Sequence, residues 1–191
     1  ALARDPDAQV LVMLPEIALT QAVIARFVER FGVMPAEWHS DIAPPMRRKV
    51  WDAVATGGCR IVIGARSALF LPFIKLGLIV VDEEHDGSYK QDEGFIYQAR
   101  DLSVARGKIE GASVILASAT PSLESLRNAE TGRYRWLKLS SRHGVARLPE
   151  ITLIDLKETP PETGRWLSPP LVKAMIKTLA AGEQTLLFLN R

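Results

Sequence analysis

Five short runs along the chain are continuously apolar: Val10 to Leu14, Ile61 to Ile63, Leu78 to Val81, Val114 to Leu116 and Leu186 to Leu189. They do not alternate with polar residues. That is the pattern of strands covered on both faces, as in a parallel sheet. The stretches between them have helical period and marked ends. Thr20 can cap a helix whose Val23, Phe27 and Phe31 lie four apart, with Gly32 closing it. Pro44-Pro45 suits the first turn of a second, carrying Met46, Val50 and Val54 on one face before Gly57-Gly58. Leu102, Ala105 and Ile109 line a third that ends at Gly111, and Pro121 opens a fourth that runs through Leu123 and Leu126 to Gly132. Ser168-Pro169 opens a fifth through Leu171, Met175 and Leu179 to Gly182. Alternation of strand and helix predicts an α/β fold with a mostly parallel sheet flanked by helices. Tyr134 to Leu139 and Ile151 to Leu156 read as further short strands, and Glu158 to Gly164 as a loop. A domain boundary is expected near Leu148, giving residues 1–148 and 149–191.

Composition narrows the class. The chain has 191 residues, 47% hydrophobic and 24% charged, the balance of a globular domain and not of a disordered segment. Its longest uncharged run, Gly111 to Leu123, is thirteen residues, short of the roughly 18 needed for a membrane helix. No signal peptide opens it, so a cytoplasmic protein is expected. One cysteine, Cys59, excludes an internal disulfide and a multi-cysteine zinc site. With 24 basic and 22 acidic residues, net charge alone argues for no nucleic-acid partner.

Ligands of open parallel sheets bind beyond the carboxyl ends of the strands, and there the sequence is polar run after run. Pro15-Glu16 follows the first run, Gly64-Ala65-Arg66-Ser67 the second, Asp82-Glu83-Glu84-His85 the third, Ser118-Ala119-Thr120 the fourth and Asn190-Arg191 the last. Asp82, Glu83 and Glu84 are adjacent carboxylates, with Asp86 two further on; crowded together they repel unless a cation or a proton intervenes. Magnesium held through one or two carboxylates, phosphate oxygens and water relieves this. A second acid can then orient an attacking water. An isolated acidic tetrapeptide is more often a solvated loop, but the buried strand before it and the other rim motifs favour the metal reading.

These residues carry a resemblance. Asp82-Glu83-Glu84-His85 resembles the magnesium and hydrolysis motif of superfamily-two helicases, and Ser118-Ala119-Thr120 their coupling motif. The longer strings at 14–20, 64–70, 82–91, 118–125 and 186–191 resemble the bacterial primosomal replication-restart DNA helicases. The resemblance implies a RecA-like first lobe over 1–148, and a linker with the start of a second such lobe over 149–191. It implies ATP and Mg2+ as cofactors. Asp82 would hold magnesium through water, Glu83 would activate the hydrolytic water, and His85 would sense the nucleotide and contact the second lobe. Ser118 and Thr120 would couple hydrolysis to movement of the lobes. Pro15, Glu16, Gly64, Arg66 and Ser67 would lie along single-stranded DNA, and Asn190-Arg191 would begin the first motif of the second lobe.

Tyr89, Lys90, Gln91, Phe95, Tyr97, Gln98 and Arg100 gather within twelve residues. Aromatics among cations suit base stacking, worth roughly 1–3 kcal/mol per base, though a small satellite core explains the composition equally well. The resemblance favours DNA contact by Tyr89, Lys90, Phe95, Tyr97 and Arg100, as part of an aromatic loop linking DNA to hydrolysis. Other candidates read blandly. Arg47-Arg48-Lys49 is a solvated helix face, His39 a satisfied side chain, His143 carries no signal, Trp51, Trp136 and Trp166 pack, and Cys59 is inert.

The chain also departs from that family. No Gly-x-x-x-x-Gly-Lys-Ser/Thr phosphate loop occurs in it; in the family this loop lies just before the segment matched here. The zinc module expected of the intact family is also missing, so zinc is not expected here. The expectation is therefore the middle of an ATP-dependent DNA helicase, inactive by itself. In the intact protein it would translocate on single-stranded DNA and unwind forked DNA, as a monomer partnered by primosome and single-strand-binding proteins in the nucleoid, with no membrane. Another superfamily-two DNA translocase, or a non-catalytic DNA- or partner-binding platform, remain alternatives. The phosphate-loop strand neighbours the Ser-Ala-Thr strand in a RecA-like sheet, so the strand at 114–116 is expected to have an open ladder side or a substitute partner.

Overall fold

A computed structural model describes residues 5–15, 18, 20–139 and 149–188. Contacts divide the chain into two units, 1–136 and 137–191. In the first, strands β1 (Gln9–Met13), β2 (Ala36–Trp38), β3 (Ile61–Gly64), β4 (Leu76–Val81) and β7 (Ser113–Leu116) form one sheet in the order β2-β3-β1-β4-β7. All four pairings are parallel. The helices are α1 (Gln21–Phe31), α2 (Pro44–Ala55), α3 (Ala99–Glu110) and α4 (Leu123–Glu130). A two-residue antiparallel ladder, β5 (Lys90–Gln91) with β6 (Tyr97–Gln98), projects between β4 and α3.

The period of two along each strand sorts the core into two layers. Leu11, Met13, Val62, Ile79 and Val81 point to one face, where Val50 and Val54 of α2 and Ala99 of α3 meet them. Val12, Leu14 and Ile63 point to the other, against Val23, Ile24, Phe27 and Val28 of α1. Continuous apolar runs are thus explained by helices on both faces. Thr20 caps α1 by accepting from the Val23 amide, and Gly32 ends it at φ 69°.

The sheet meets two constraints that its apolar pattern hides. At the amino end of β1, Gln9 is fully buried. Its amide nitrogen donates to the carbonyls of Val54 (3.0 Å) and Cys59 (2.8 Å). Its amide oxygen accepts from the backbone amides of Ile74 (2.7 Å) and Lys75 (3.1 Å). One side chain thereby ties the end of α2 and two loops to the central strand. On α3, the packed face is Ala99, Ser103 and Gly107, with Leu102 half-buried beside them as expected, whereas the expected Ala105 and Ile109 are exposed. Ile109 is 83% exposed. Small residues let α3 lie close to the sheet: a Cβ on Gly107 would stand 2.3 Å from Cγ2 of Val114.

Three expected strands do not form among the described residues. Residues 134–139, 151–156 and 186–188 carry no ladder, and Leu139, Ile151, Leu153, Leu186 and Phe188 are exposed. An apolar run becomes a strand only when another strand supplies its hydrogen bonds. The second unit contains one described helix, α5 (Pro169–Ala180), preceded by Ser168. Trp166, expected to pack, is exposed instead. The expected boundary at Leu148 lies outside the described residues.

Strand β7 pairs with β4 on one side and with no described residue on the other. Its Val114 and Leu116 join the core, whereas Ile115, facing the α1 side, is half exposed.

Replacing Gln9 with leucine should preserve the fold but orphan two carbonyls and two amides. At about 1–3 kcal/mol for an unpaired buried group, a loss of about 3 kcal/mol or more is expected. Urea unfolding should show a lower midpoint at unchanged slope.

Candidate functional site

The segments that follow β1, β2, β3, β4 and β7 leave the same edge of the sheet, and single backbone bonds hold them in register. The Ala65 amide donates to Trp38, Leu14 to Gly64, Asp82 to Met13, Ala117 to Val81 and Glu84 back to Ala117, at 2.8–3.0 Å. The ladder therefore continues one step beyond the strands. Loops that are distant in sequence are fixed against one another before any side chain acts.

At the end of β4 the chain turns sharply. Glu83 has φ 46°, the only positive φ outside glycine among the described residues. This sends adjacent carboxylates in different directions. Asp82 is half-buried and its Oδ1 accepts from the Glu83 amide at 3.1 Å. Glu83 is exposed, with Oε2 3.6 Å from Nδ1 of His85. Glu84 turns inward and is 1% exposed. Asp86 caps the short 3-10 turn Gly87–Tyr89. Hydrogen bonds from Ser88, then the nearby His85 ring, hold its carboxyl below the usual carboxylate range. The four neighbouring acids thus sit in different surroundings.

His85 joins two motifs. Its Nδ1 lies 2.7 Å from the Ser118 hydroxyl and its Nε2 3.4 Å from the Thr120 hydroxyl, while the Thr120 amide donates to Ser118 Oγ at 2.9 Å. Asp82, Glu83, His85, Ser118 and Thr120 are therefore brought together. Among the described residues no group of three or more His, Cys, Asp or Glu could by itself hold a metal. The oxygen-rich turn suits a hard cation held by a single carboxylate and outside oxygens.

The aromatic segment divides into an inner and an outer part. Tyr89 is buried, and its hydroxyl proton is shared between the carbonyls of Asp82 (2.6 Å) and Met13 (3.0 Å). Burial, then the charges of Asp82, Asp86 and Glu83, push the phenol far above its usual range. It is a neutral bolt under the acidic turn. Arg66 reaches across to the carbonyls of Ser88 (2.9 Å) and Lys90 (2.7 Å), clamping the base of the β5–β6 hairpin. On the outside, Tyr97 meets Phe70 edge to face at 5.1 Å and Phe95 at 6.0 Å. Phe95 is 75% exposed and Phe70 about half.

The sequence model of the DEAD/DEAH box helicases matches residues 1–129, which include this whole constellation. The chain belongs to the DEAD/DEAH box helicase family. The matched residues include all five strands of the parallel sheet and its flanking helices into α4. The chain is similar to curated proteins named replication restart protein PriA. It is 45% identical to that of Rickettsia felis over 96% of this chain and 28% of the relative. The identity is 46% to that of Haemophilus influenzae, over 96% and 25%. To that of Bacillus subtilis it is 39%, over 100% and 24%. The chain spans about a quarter of the length of these relatives.

Within this unit the expected DNA residues fall into separate groups. Tyr89 and Arg100 are corrected from surface to interior. Arg100 is 7% exposed; it pairs with Glu84, Asp101 and Glu124 and donates to Ser122 Oγ at 2.7 Å. Burial works against its charge, but these acids outweigh it and strengthen its hold on the proton. Gly64 is buried as well, and a Cβ there would stand 2.5 Å from the Trp38 carbonyl, so the close approach of the two strands requires glycine. Pro15 is buried; Glu16, Asn190, Arg191 and His143 lie outside the described residues. Ser67, Lys90 and Phe95 remain open to solvent, with Arg66 and Tyr97 partly so; Lys90 pairs with Asp92 at 2.8 Å. Of the bland candidates, Arg47 departs from a solvated face. It donates to the His39 carbonyl at 2.8 Å and lies over the Trp38 ring. Burial raises the Cys59 thiol, in keeping with an inert residue. Sequence reading gave no role to Phe70 and none to Glu84 beyond its place in the acidic cluster; an apolar residue beside a motif and the third acid of a run carry no distinct signal.

The buried and exposed aromatics should behave oppositely. Tyr89→Ala should cost about 3–5 kcal/mol of stability, as for other buried rings. Phe95→Ala should stay within about 0.5 kcal/mol of the parent. Equilibrium denaturation of the two variants checks both.

Proposed function

We propose that residues 1–148 are the first RecA-like lobe, and 149–191 a linker and the start of the second, of an ATP-dependent DNA helicase acting in replication restart. The observation that carries this reading is the imidazole of His85 set between Ser118 and Thr120, with Asp82 and Glu83 on the same turn. A nucleotide-responsive acidic turn is thereby in direct contact with the segment after β7. The similarity to PriA proteins supports DNA as the substrate and primosome components as partners.

DEAD/DEAH box helicases as a class use ATP and Mg2+. Asp82 fits the role of metal carboxylate, since it is half-buried at the end of β4 and its Oδ1 is steadied by the Glu83 amide. Magnesium, when bound, would neutralise charge between phosphate oxygens. Glu83, exposed and unburdened by the interior network, would orient the attacking water and accept its proton. His85 would pass a change at the turn to Ser118 and Thr120 through bonds already formed. Single-stranded DNA would run over the rim past Ser67 and Arg66, with bases against Phe95, Tyr97 and Phe70. Arg66, bonded to the hairpin base, would relay its occupancy towards Asp82 through Tyr89.

Asp82→Asn and Glu83→Gln in the full-length protein should each bring DNA-stimulated ATP turnover to background and leave forked-DNA affinity within about two-fold, because carboxylates repel DNA phosphates. A parallel loss of DNA affinity would contradict these roles. The 191-residue chain assayed alone should not turn over ATP, since none of its residues form the glycine loop and lysine that cradle the β- and γ-phosphates. A platform that binds DNA without turnover would show no effect of either substitution in the full-length protein.

A further inference from the structure

Glu84 is the third acid of the turn, and the reaction assigned to Asp82 and Glu83 makes no use of it. Yet it is the most completely bonded of the three. Its Oε1 accepts from the Ser122 amide at 2.6 Å. Its Oε2 accepts from the hydroxyls of Ser122 (2.9 Å) and Ser125 (2.8 Å), and from the Arg100 guanidinium at 3.5 Å. The Glu84 amide donates to the Ala117 carbonyl. Arg100 closes the network by donating to the same Ser122 hydroxyl. This hydroxyl also caps α4 by accepting from the Ser125 amide. Thus one buried carboxylate gathers the acidic turn, the first turn of α3 and the N-terminus of α4.

The residue before it is the strained one. A glutamate at positive φ is disfavoured because Cβ crowds its own backbone, and such a conformer persists only where its surroundings over-determine it. The Glu83 side chain is exposed, and its contact with Nδ1 of His85 at 3.6 Å restrains the carboxylate rather than the backbone. The restraint must come from its neighbours. On one side Asp82 is tied by its amide to Met13, and on the other Glu84 is held by four donors. Ser118, Ala119, Thr120 and Pro121 form a short span between Ala117 and Ser122, both of which Glu84 grips. Fixing those two ends sets where Ser118 and Thr120 can meet His85.

We propose that Glu84 is a positioning residue, a buried latch with Arg100 and Ser122 that holds Glu83 in its left-handed conformer and keeps the Ser-Ala-Thr segment within reach of His85. The proposal rests on reading Glu83 as the carboxylate that orients water. Glu84 itself touches neither nucleotide nor DNA. Its loss should misplace Glu83 while leaving binding groups alone, so turnover should fall without loss of affinity.

The test uses the full-length protein with ATP and single-stranded DNA. Glu84→Gln keeps the shape but turns an amide group towards Arg100. Ser122→Ala keeps the Glu84 charge and removes the shared hydroxyl, and Ser122→Thr restores a hydroxyl. Glu84→Gln and Ser122→Ala should lower kcat at least ten-fold with KM for ATP and the DNA Kd within two-fold. Ser122→Thr should recover most of the loss. A crystal structure of Glu84→Gln should show residue 83 at negative φ. Should Glu84→Gln not fold, the Ser122 pair carries the test. Parental kcat in folded Ser122→Ala, a KM rise matching the kcat loss, or φ at residue 83 unchanged in Glu84→Gln would overturn the latch. Glu83→Gln is measured alongside: if it retains turnover, the water-orienting role of Glu83 falls, and the conformation of residue 83 in Glu84→Gln still decides the latch.

Discussion

The Met13 carbonyl, at the end of the central strand, accepts from the Asp82 amide and from the buried Tyr89 hydroxyl. On that oxygen the acidic turn, the hairpin and the sheet are made one rigid body. Parallel strands leave the same edge of a sheet, but they do not by themselves fix the loops that follow. Here the ladder runs one residue past each strand end, so the loops inherit the register of the sheet. The chemistry assigned to the rim needs carboxylates and hydroxyls held to a fraction of an ångström, and backbone bonds between neighbouring loops provide that without side-chain entropy loss.

Beneath the rim, charge has been divided by depth. Asp82 and Glu83 stay towards solvent, whereas Glu84 is buried with Arg100. A buried carboxylate is costly to desolvate, and an ion pair offsets that only when other donors satisfy the remaining lone pairs. Ser122 and Ser125 supply them. Breaking such a network is more damaging than its net contribution to stability, since it leaves a charge without partners. The arrangement therefore favours a single geometry of the turn over any looser alternative.

The outer surface of the hairpin has a different character. Phe70 and Phe95 flank Tyr97, the first edge to face and the second tilted; both phenylalanines are open to solvent, and Tyr97 is half-buried against the core. Exposed aromatic platforms fit a ligand with π faces. Tyr89 bonds the acidic turn and Arg66 bonds the residues on either side of Tyr89, so the platform and the turn are joined through this short segment.

Sequence periodicity determined much of this protein: the continuous apolar runs, the caps at Thr20, Gly32 and Gly111, the parallel α/β class, and the rim on which Asp82, His85, Ser118 and Thr120 fall. These follow from local rules, because a strand covered on both faces has a recognisable composition and a helix end has a recognisable cap. Strand pairing does not. The runs at 151–156 and 186–188 have suitable composition yet form no ladder, since a strand needs a partner that composition cannot supply. Nor could sequence tell which members of an acidic or aromatic cluster turn inward. Glu83 and Glu84 are identical residues side by side, and Tyr89 and Tyr97 lie in one short segment. The left-handed turn at Glu83 and the donors brought from α3 and α4 decide that Glu84 is buried and Glu83 exposed. The carbonyls of Met13 and Asp82 decide that Tyr89 is buried while Tyr97 stays half-buried.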